Sequence, residues 1–254
     1  MSIIKDLIRL ALLSPEEISE FRPPQMKQAI IICFFGVPGA GKTTVAQSFV
    51  NRYKSNGVYF FQINPDIIFE KLHINHEGAT KADEEKVNCL LLQQVDFITK
   101  NNLCATIEGS LFTPSHLPQN EPPIWEQMLQ ICQKNNASTH VYLVGISTKT
   151  KDYHNRTELR AKLTQGHQVP IQNLEQNVDH FFMNASKAMS YANGVQAIFD
   201  NSFKSPNLVY IKNHKRVLIP QLSPKSWVYK IMNPSSFVVA DDFFKQKKSL
   251  DRDK

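Results

Sequence analysis

Hydrophobic segments alternate with more polar, helix-forming segments along most of the chain, which has 254 residues. Short apolar segments predict buried strands at 29–35, 58–63, 103–107, 141–146 and 196–199. Helices are predicted between them, over 42–55, 83–100, 125–134, 150–164 and 171–192. Because strands that alternate with helices form a parallel sheet covered on both faces, we expect an α/β fold. Ligands of such a sheet bind beyond the carboxyl ends of its strands.

The two ends of the chain depart from this alternation. Near the N-terminus, apolar residues form one helical stripe, made of Ile4, Leu7, Ile8, Ala11 and Leu12. The stripe favours packing against the rest of the fold, with a membrane surface as the alternative. Residues 14–17 predict the start of a second helix, and 22–25 a linker. Near the C-terminus, 208–211 and 216–219 predict a β-hairpin, and 245–254 a frayed tail.

Composition indicates a soluble globular protein, because 42% of the residues are hydrophobic and 20% are charged. The net charge of +6 suits an anionic ligand, although an ordinary basic surface would give the same value. No apolar segment is long enough to span a membrane or to act as a signal peptide. The cysteines show no Cys-x-x-Cys pair, so we expect reduced thiols in a cytoplasmic protein, or in one delivered to a target-cell cytosol: Cys33, Cys89, Cys104 and Cys132.

One segment carries a specific chemical signature. Residues 36–43 match the phosphate-binding pattern G-x-x-x-x-G-K-[ST] at every position, between a predicted strand and a predicted helix. Glycines let backbone N–H groups surround phosphates, and the helix N-terminus adds partial positive charge. We expect Lys42 to bind the β- and γ-phosphates of ATP or GTP and Thr43 to ligate Mg²⁺. The predicted nucleotide-binding residues are Gly36, Val37, Pro38, Gly39, Ala40, Gly41, Lys42, Thr43 and Thr44.

The rest of the chain favours a kinase over other P-loop proteins. A GTPase switch needs a DxxG element, which the sequence lacks. Thr80-Lys81-Ala82-Asp83 resembles a guanine-reading motif, but Asp83 better suits the acidic first turn of the helix that follows. A motor or AAA-type ATPase is not expected either, because no apolar strand ends in Asp or Asp-Glu.

Carboxylates follow the two strands after the phosphate loop. Asp66 comes after the second strand and Glu108 after the third, so both are expected to point into the crevice above the loop. Asp66 is placed to accept the proton of a hydroxyl nucleophile. Glu108 would hold the metal through water or hold the substrate. The structural alternatives are a helix N-cap for Asp66 and a turn carboxylate for Glu108.

An ordered set of motifs resembles the zeta-toxin family of P-loop kinases. It comprises the segments 34–43, Asn64-Pro65-Asp66, Ile107-Glu108-Gly109-Ser110, Arg156-Thr157-Glu158-Leu159-Arg160, Gly166-His167-Gln168-Val169-Pro170 and Phe199-Asp200-Asn201-Ser202. The resemblance covers about residues 30–202. Members of this family phosphorylate a sugar hydroxyl of UDP-N-acetylglucosamine or related small molecules.

The resemblance implies a role for each matching residue. It makes Lys42 the phosphate clamp, Thr43 a metal ligand, Asp66 the base and Glu108 an active-site carboxylate, with candidate lid arginines at Arg156 and Arg160. The chain departs from the family at Phe112, where the best-known toxins place an arginine on the nucleotide sugar. It also reads Ile-Gln-Asn-Leu at 171–174, where many relatives carry arginines. These departures leave the kinase core intact and put the substrate in doubt.

The two arginines also follow from an independent argument. A guanidinium can meet two of the equatorial oxygens that become charged during phosphoryl transfer. Arg156 and Arg160 are one helical turn apart and therefore share a face. The alternative is a solvated basic face that also includes Lys149, Lys151 and Lys162. His167 is expected to be structural in its turn.

We therefore expect an α/β P-loop NTPase fold with small N-terminal helical and C-terminal hairpin appendages. The predicted parts are an N-terminal helical extension (1–25), a P-loop kinase domain (26–202) and a C-terminal β-hairpin and tail (203–254). The predicted function is Mg²⁺-dependent transfer of the γ-phosphate of ATP or GTP to a hydroxyl of a small molecule, either a nucleotide sugar or another hydroxyl compound. The alternatives are a nucleotide-gated interaction module without turnover and a nucleic-acid 5′-end kinase. The sequence leaves open the acceptor, the choice of ATP or GTP, and an antitoxin or host-protein partner.

Overall fold

The computed structural model describes eleven stretches of the chain: 3–13, 26–55, 57–74, 78–114, 117, 121–147, 149–164, 169–202, 207–213, 217–218 and 227–232. Four predictions fall outside these residues. They are the second N-terminal helix, the linker, the turn around His167 and the frayed tail.

The strands of the described chain form one sheet in the order β2-β3-β1-β4-β5-β6-β7. Their bounds are Ile30–Phe35 (β1), Phe60–Ile63 (β2), Cys104–Gly109 (β3), Ser138–Gly145 (β4), Gln196–Asp200 (β5), Asn207–Lys212 (β6) and Val217–Leu218 (β7). The first five are parallel, as predicted, while β6 pairs antiparallel with β5 and β7 pairs antiparallel with β6. The predicted C-terminal hairpin is thus part of the sheet rather than a separate layer.

Helices connect the parallel strands at the predicted places. Their bounds are Ile3–Arg9 (α1), Lys42–Lys54 (α2), Pro65–Lys71 (α3), Lys81–Lys100 (α4), Ile124–Lys134 (α5), Thr150–Thr164 (α6), Ile171–Ser190 (α7) and Trp227–Met232 (α8). Helix α4 begins with a capping box in which Thr80 and Asp83 bond each other's backbone N–H, which confirms the predicted place of Asp83. Helix α8 was not predicted, and a helix at α3 only as the alternative in which Asp66 is an N-cap, because six and seven residues are too few to show a helical period.

Helices cover both faces of the sheet. On one face, the Phe49 ring of α2 lies 5.3 Å from the ring of Tyr142 in β4. Gly145, three residues further along β4, faces the opposite side because side chains alternate along a strand. A Cβ atom on Gly145 would lie 2.8 Å from the Trp227 ring of α8, which in turn neighbours Phe181 of α7. The predicted fold class is therefore confirmed.

The N-terminal stripe packs partly against the fold. Leu7 is fully buried, and Gln94 of α4 donates a hydrogen bond to the Leu10 carbonyl at 2.6 Å. Ile4 and Ile8 remain 38% and 39% exposed, so the stripe is narrower than its sequence indicates. Among the described residues, no helix combines the length and apolar character that crossing a membrane requires. The division of the chain at residues 25 and 202 stays a prediction.

Candidate active site

The phosphate loop lies at the carboxyl edge of the sheet, between β1 and α2. Its Gly36 N–H donates to the Gly109 carbonyl at the end of β3, at 3.2 Å. A Cβ on Gly36 would stand 2.2 Å from the Val144 carbonyl oxygen, so only glycine allows this approach. Gly41 directly precedes α2 with φ = 86°, in the left-handed region that glycine adopts most readily. The loop thus has the backbone conformation that its pattern predicts.

Lys42 points its ammonium into the loop. Its Nζ donates to the carbonyls of Gly36 at 3.0 Å and Val37 at 3.3 Å. Burial lowers the pKa of Lys42 to about 8, against the nearby charges of Glu108 and Asp66, which raise it. A ligand phosphate would restore the ammonium, because an opposite charge favours the charged form. The pKa of Lys42 therefore links proton uptake to anion binding.

Thr43 and Glu108 meet directly beside this ammonium. The Thr43 hydroxyl donates to Glu108 Oε2 at 2.7 Å, and Glu108 is only 3% exposed. Burial raises the pKa of Glu108, while the Thr43 hydrogen bond and the Lys42 charge lower it. Because Glu108 lies within β3 and is buried, the alternative of a turn carboxylate is wrong.

The Thr43–Glu108 pair fits a magnesium ion. Both side chains offer hard oxygen donors, which Mg²⁺ prefers, and the ion usually keeps several waters or phosphate oxygens as further ligands. No group of three His, Cys, Asp or Glu side chains suited to a metal occurs among the described residues. The pair suits an ion whose remaining ligands are waters and phosphate oxygens.

Asp66 lies in the first turn of α3, next to this pair. The helix N-cap is Asn64, whose side chain accepts a hydrogen bond from the Asp66 N–H at 2.9 Å. The alternative that Asp66 is the N-cap is therefore wrong. Asp66 is exposed, and its charge raises the pKa of both Lys42 and Glu108. The structure thus brings the predicted base, the loop lysine and the buried carboxylate together.

Asn64 contacts the backbone N–H of Asp66 and the carboxylate of Glu108, and it was assigned no role from the sequence. Besides capping α3, its side chain hydrogen-bonds Glu108 and lowers the pKa of that carboxyl group. Asn followed by Pro before a helix is a typical cap signal, so the capping contact could be detected from the sequence. The contact with Glu108 could not be detected, because it depends on the pairing of β2 with β3.

The two predicted lid arginines lie on α6, which packs against the tip of the phosphate loop. A Cβ on Gly39 would stand 3.0 Å from the Tyr153 carbonyl oxygen of α6. Arg156 is half-buried and donates to the Asn201 carbonyl at 2.6 Å. Arg160 is exposed, and its charge helps to lower the pKa of Lys42. Both arginines therefore lie near the loop, and their role as lid arginines stays a prediction.

The loop after β3 is attached to α7. The ring of Phe112 lies 5.0 Å from that of His180, and the Thr113 N–H donates to His180 Nδ1 at 3.2 Å. Asn184, one turn further along α7, donates to the Leu111 carbonyl at 2.9 Å. Sequence reasoning singled out Phe112 and missed both partners, which lie about seventy residues away in the chain.

Solved structures share this fold, among them two that match more than four fifths of this chain. The PezAT chromosomal toxin–antitoxin system of Streptococcus pneumoniae is similar with a TM-score of 0.57 and 18% identity, over 82% of this chain and 80% of that one. The AvrRxo1-ORF1:-ORF2 complex is similar with a TM-score of 0.56 and 12% identity, over 85% and 68% of the two chains. The first match confirms the resemblance to the zeta-toxin family as a likeness of fold. Comparison with curated protein sequences gives no match.

A family model matches more than half of the chain. The model is described as the ATPase family associated with various cellular activities (AAA), and it matches residues 32–169. The expectation against an AAA-type ATPase is therefore wrong. It required a strand ending in Asp or Asp-Glu, whereas here the buried strand β3 carries a single Glu108 that hydrogen-bonds Thr43. The chain belongs to the ATPase family associated with various cellular activities (AAA).

Proposed function

We propose that the chain is an ATP- or GTP-dependent phosphotransferase that phosphorylates a hydroxyl group of a small molecule. The observation that carries the proposal is the Thr43–Glu108 hydrogen bond of 2.7 Å beside Lys42, with the exposed Asp66 next to it. A protein that only binds a nucleotide needs the phosphate loop and the oxygen atoms that ligate Mg²⁺. An additional carboxylate at the mouth of the site is what a hydroxyl nucleophile requires.

Each residue of the site has its own role in the proposed reaction. The acceptor oxygen attacks the γ-phosphorus, the bond from that phosphorus to the β–γ bridging oxygen breaks, and the nucleoside diphosphate leaves. The acceptor proton passes to the Asp66 carboxylate. Lys42, Arg156 and Arg160 stabilise the negative charge on the phosphoryl oxygens. A magnesium ion on Thr43, and on Glu108 through water, would supply further positive charge at the β- and γ-phosphates.

The acceptor is proposed to differ from the nucleotide sugars of zeta toxins. Phe112 stands where those toxins carry an arginine, and its ring packs on His180 rather than presenting a cation. A guanidinium at that position would pair with a diphosphate, which an aromatic ring cannot do. We therefore favour an uncharged hydroxyl compound as the acceptor.

A protein partner belongs to the same proposal. The PezAT structure is a toxin–antitoxin system, and the AvrRxo1-ORF1 structure is a complex with ORF2. These similar folds support an inhibitory protein partner for this chain as well. Copurification from the native host, followed by a transfer assay with and without the copurified protein, tests this part.

The test of the activity uses the γ-phosphate itself. The protein is incubated with γ-labelled ATP or GTP, Mg²⁺ and a metabolite extract, and labelled compounds are separated and identified. We expect one labelled organic product with the wild-type chain, and none with Lys42→Ala, whose side chain contacts loop carbonyls rather than the core. Label on no compound other than inorganic phosphate would contradict the proposal.

ATP hydrolysis is the second candidate, and the AAA family match favours it. In that reaction water replaces the acceptor, so inorganic phosphate is the labelled product at every extract concentration. In a phosphotransferase, addition of the true acceptor instead diverts label from inorganic phosphate to the new product. The same experiment therefore distinguishes the two candidates.

A further inference from the structure

We propose that Asn201 is a positioning residue of the phosphate loop, which turns the Gly41 N–H toward bound phosphate and couples the loop to Arg156. The inference rests on the proposed nucleotide binding and goes beyond it, because it gives a role to a residue outside the phosphate loop. Asn201 lies 161 residues after Ala40, with which it forms a hydrogen bond. Three hydrogen bonds of Asn201 carry the argument.

The side chain of Asn201 is bonded to the phosphate loop inside the protein. Its Nδ2 donates to the Ala40 carbonyl at 2.8 Å, and the residue is only 8% exposed. The fit is tight, because a Cβ on Gly41 would stand 2.1 Å from this nitrogen. The backbone beneath the side chain is also fixed, since the Asn201 N–H donates to the Gly145 carbonyl at the end of β4 at 2.8 Å. The sheet therefore holds this amide group in place.

The bond to Ala40 determines the direction of a loop N–H. In a trans peptide, the carbonyl of one residue and the N–H of the next point in opposite directions. The Ala40 carbonyl points to Asn201, so the Gly41 N–H of the same peptide points the other way. Phosphate nests depend on such inward N–H groups. Glycine allows the Ala40–Gly41 peptide to rotate more freely than another residue would. The hydrogen bond from Asn201 to the Ala40 carbonyl therefore fixes the direction of the Gly41 N–H.

The main chain of Asn201 also holds a lid arginine. Its carbonyl accepts the 2.6 Å hydrogen bond from Arg156. One residue thus contacts the loop through its side chain and α6 through its backbone. A displacement of Asn201 would move the Gly41 peptide and the Arg156 guanidinium together, so their contributions to the reaction are coupled.

The test compares Asn201→Ala with a matched control, Asn193→Ala. Asn193 also clamps backbone groups, donating to the Ala137 carbonyl at 2.9 Å and accepting from the Thr139 N–H at 2.7 Å, near the amino ends of β4 and β5. We expect both variants to lose a few degrees of melting temperature. Only Asn201→Ala should weaken ATP binding, by about tenfold, the factor that corresponds to one lost buried hydrogen bond.

Two further readouts keep the inference open to refutation. The ¹⁵N–¹H signal of Gly41 should shift, and its amide should exchange faster, in Asn201→Ala and not in Asn193→Ala. Arg156→Ala should lower kcat less in the Asn201→Ala background than in the wild type. Wild-type affinity for ATP in Asn201→Ala, or additive effects with Arg156→Ala, would overturn the inference. If the wild type binds ATP but transfers no label, the proposed transfer fails while the binding and NMR comparison still decides the role of Asn201.

Discussion

Raising the pH should release the nucleotide through Lys42. Burial lowers the pKa of this ammonium to about 8, and bound phosphates favour its charged form. With a pKa of about 8, roughly three quarters of the free protein carries the ammonium at pH 7.5 and roughly 3% at pH 9.5. If the bound lysine regains a pKa of about 10.4 or higher, ATP affinity falls about 20-fold over this range.

The sign follows from proton linkage. A group whose pKa rises on binding takes up a proton, so affinity decreases as the pH passes above the pKa of the free protein. Titration with a fluorescent ATP analogue at several pH values measures the decrease, and calorimetry in buffers of different ionisation enthalpy measures the proton uptake directly. Lys42→Arg is the control, because a guanidinium stays charged throughout and should give a nearly flat profile. A flat wild-type profile, or an equal slope in Lys42→Arg, would refute this account of Lys42.

Substitutions at four residues test the other side chains of the site. Asp66→Asn should keep the melting temperature and ATP affinity but lose about 10²–10⁴-fold in single-turnover transfer, because the amide cannot accept the proton; an active variant would remove Asp66 from the mechanism. Replacing Arg156 or Arg160 by Ala should lower kcat more than nucleotide affinity, since the charge they meet develops during transfer, and equal losses would indicate ground-state binding. Asn64→Asp keeps the cap of α3 but replaces the donor to Glu108 by a second carboxylate, so it should raise the pKa of Glu108, lower the melting temperature and need more Mg²⁺ at low pH. Asn64→Ala removes the cap and should lose about 1 kcal/mol of stability. An unchanged Mg²⁺ requirement in Asn64→Asp would show that the bond to Glu108 has no role in metal binding.

The sequence predicted those parts of the site that belong to local patterns. The phosphate loop is contiguous, and Asp66 and Glu108 follow apolar strands whose carboxyl ends must meet in a parallel sheet. Strand β4 was predicted from Val141, but it begins at Ser138, because Ser138 pairs with Ile30 of β1 despite its polar side chain. Pairing partners, which sequence periodicity does not report, determine where such a strand starts.

The contacts that arrange the predicted residues could not be read from the chain. Asn201 reaches Ala40 and the Arg156 guanidinium only because β5 lies beside β4, so that both strands end at the edge of the sheet that holds the phosphate loop. His180 reaches Thr113 only because α7 packs over the loop after β3. Each is a single hydrogen bond between distant segments, with no periodicity and no local motif. An exclusion from one missing motif also failed, as the AAA family match shows.

The most direct test of the central claim follows the γ-phosphate in the presence of an acceptor. Wild-type protein and Asp66→Asn are each loaded with γ-labelled ATP and Mg²⁺, then mixed with a metabolite extract in a single-turnover experiment. The account predicts rapid transfer of label to one hydroxyl compound by the wild type, and transfer slower by about 10²–10⁴-fold by Asp66→Asn at equal ATP binding. Release of all label as inorganic phosphate, at the same rate with and without extract, would contradict it.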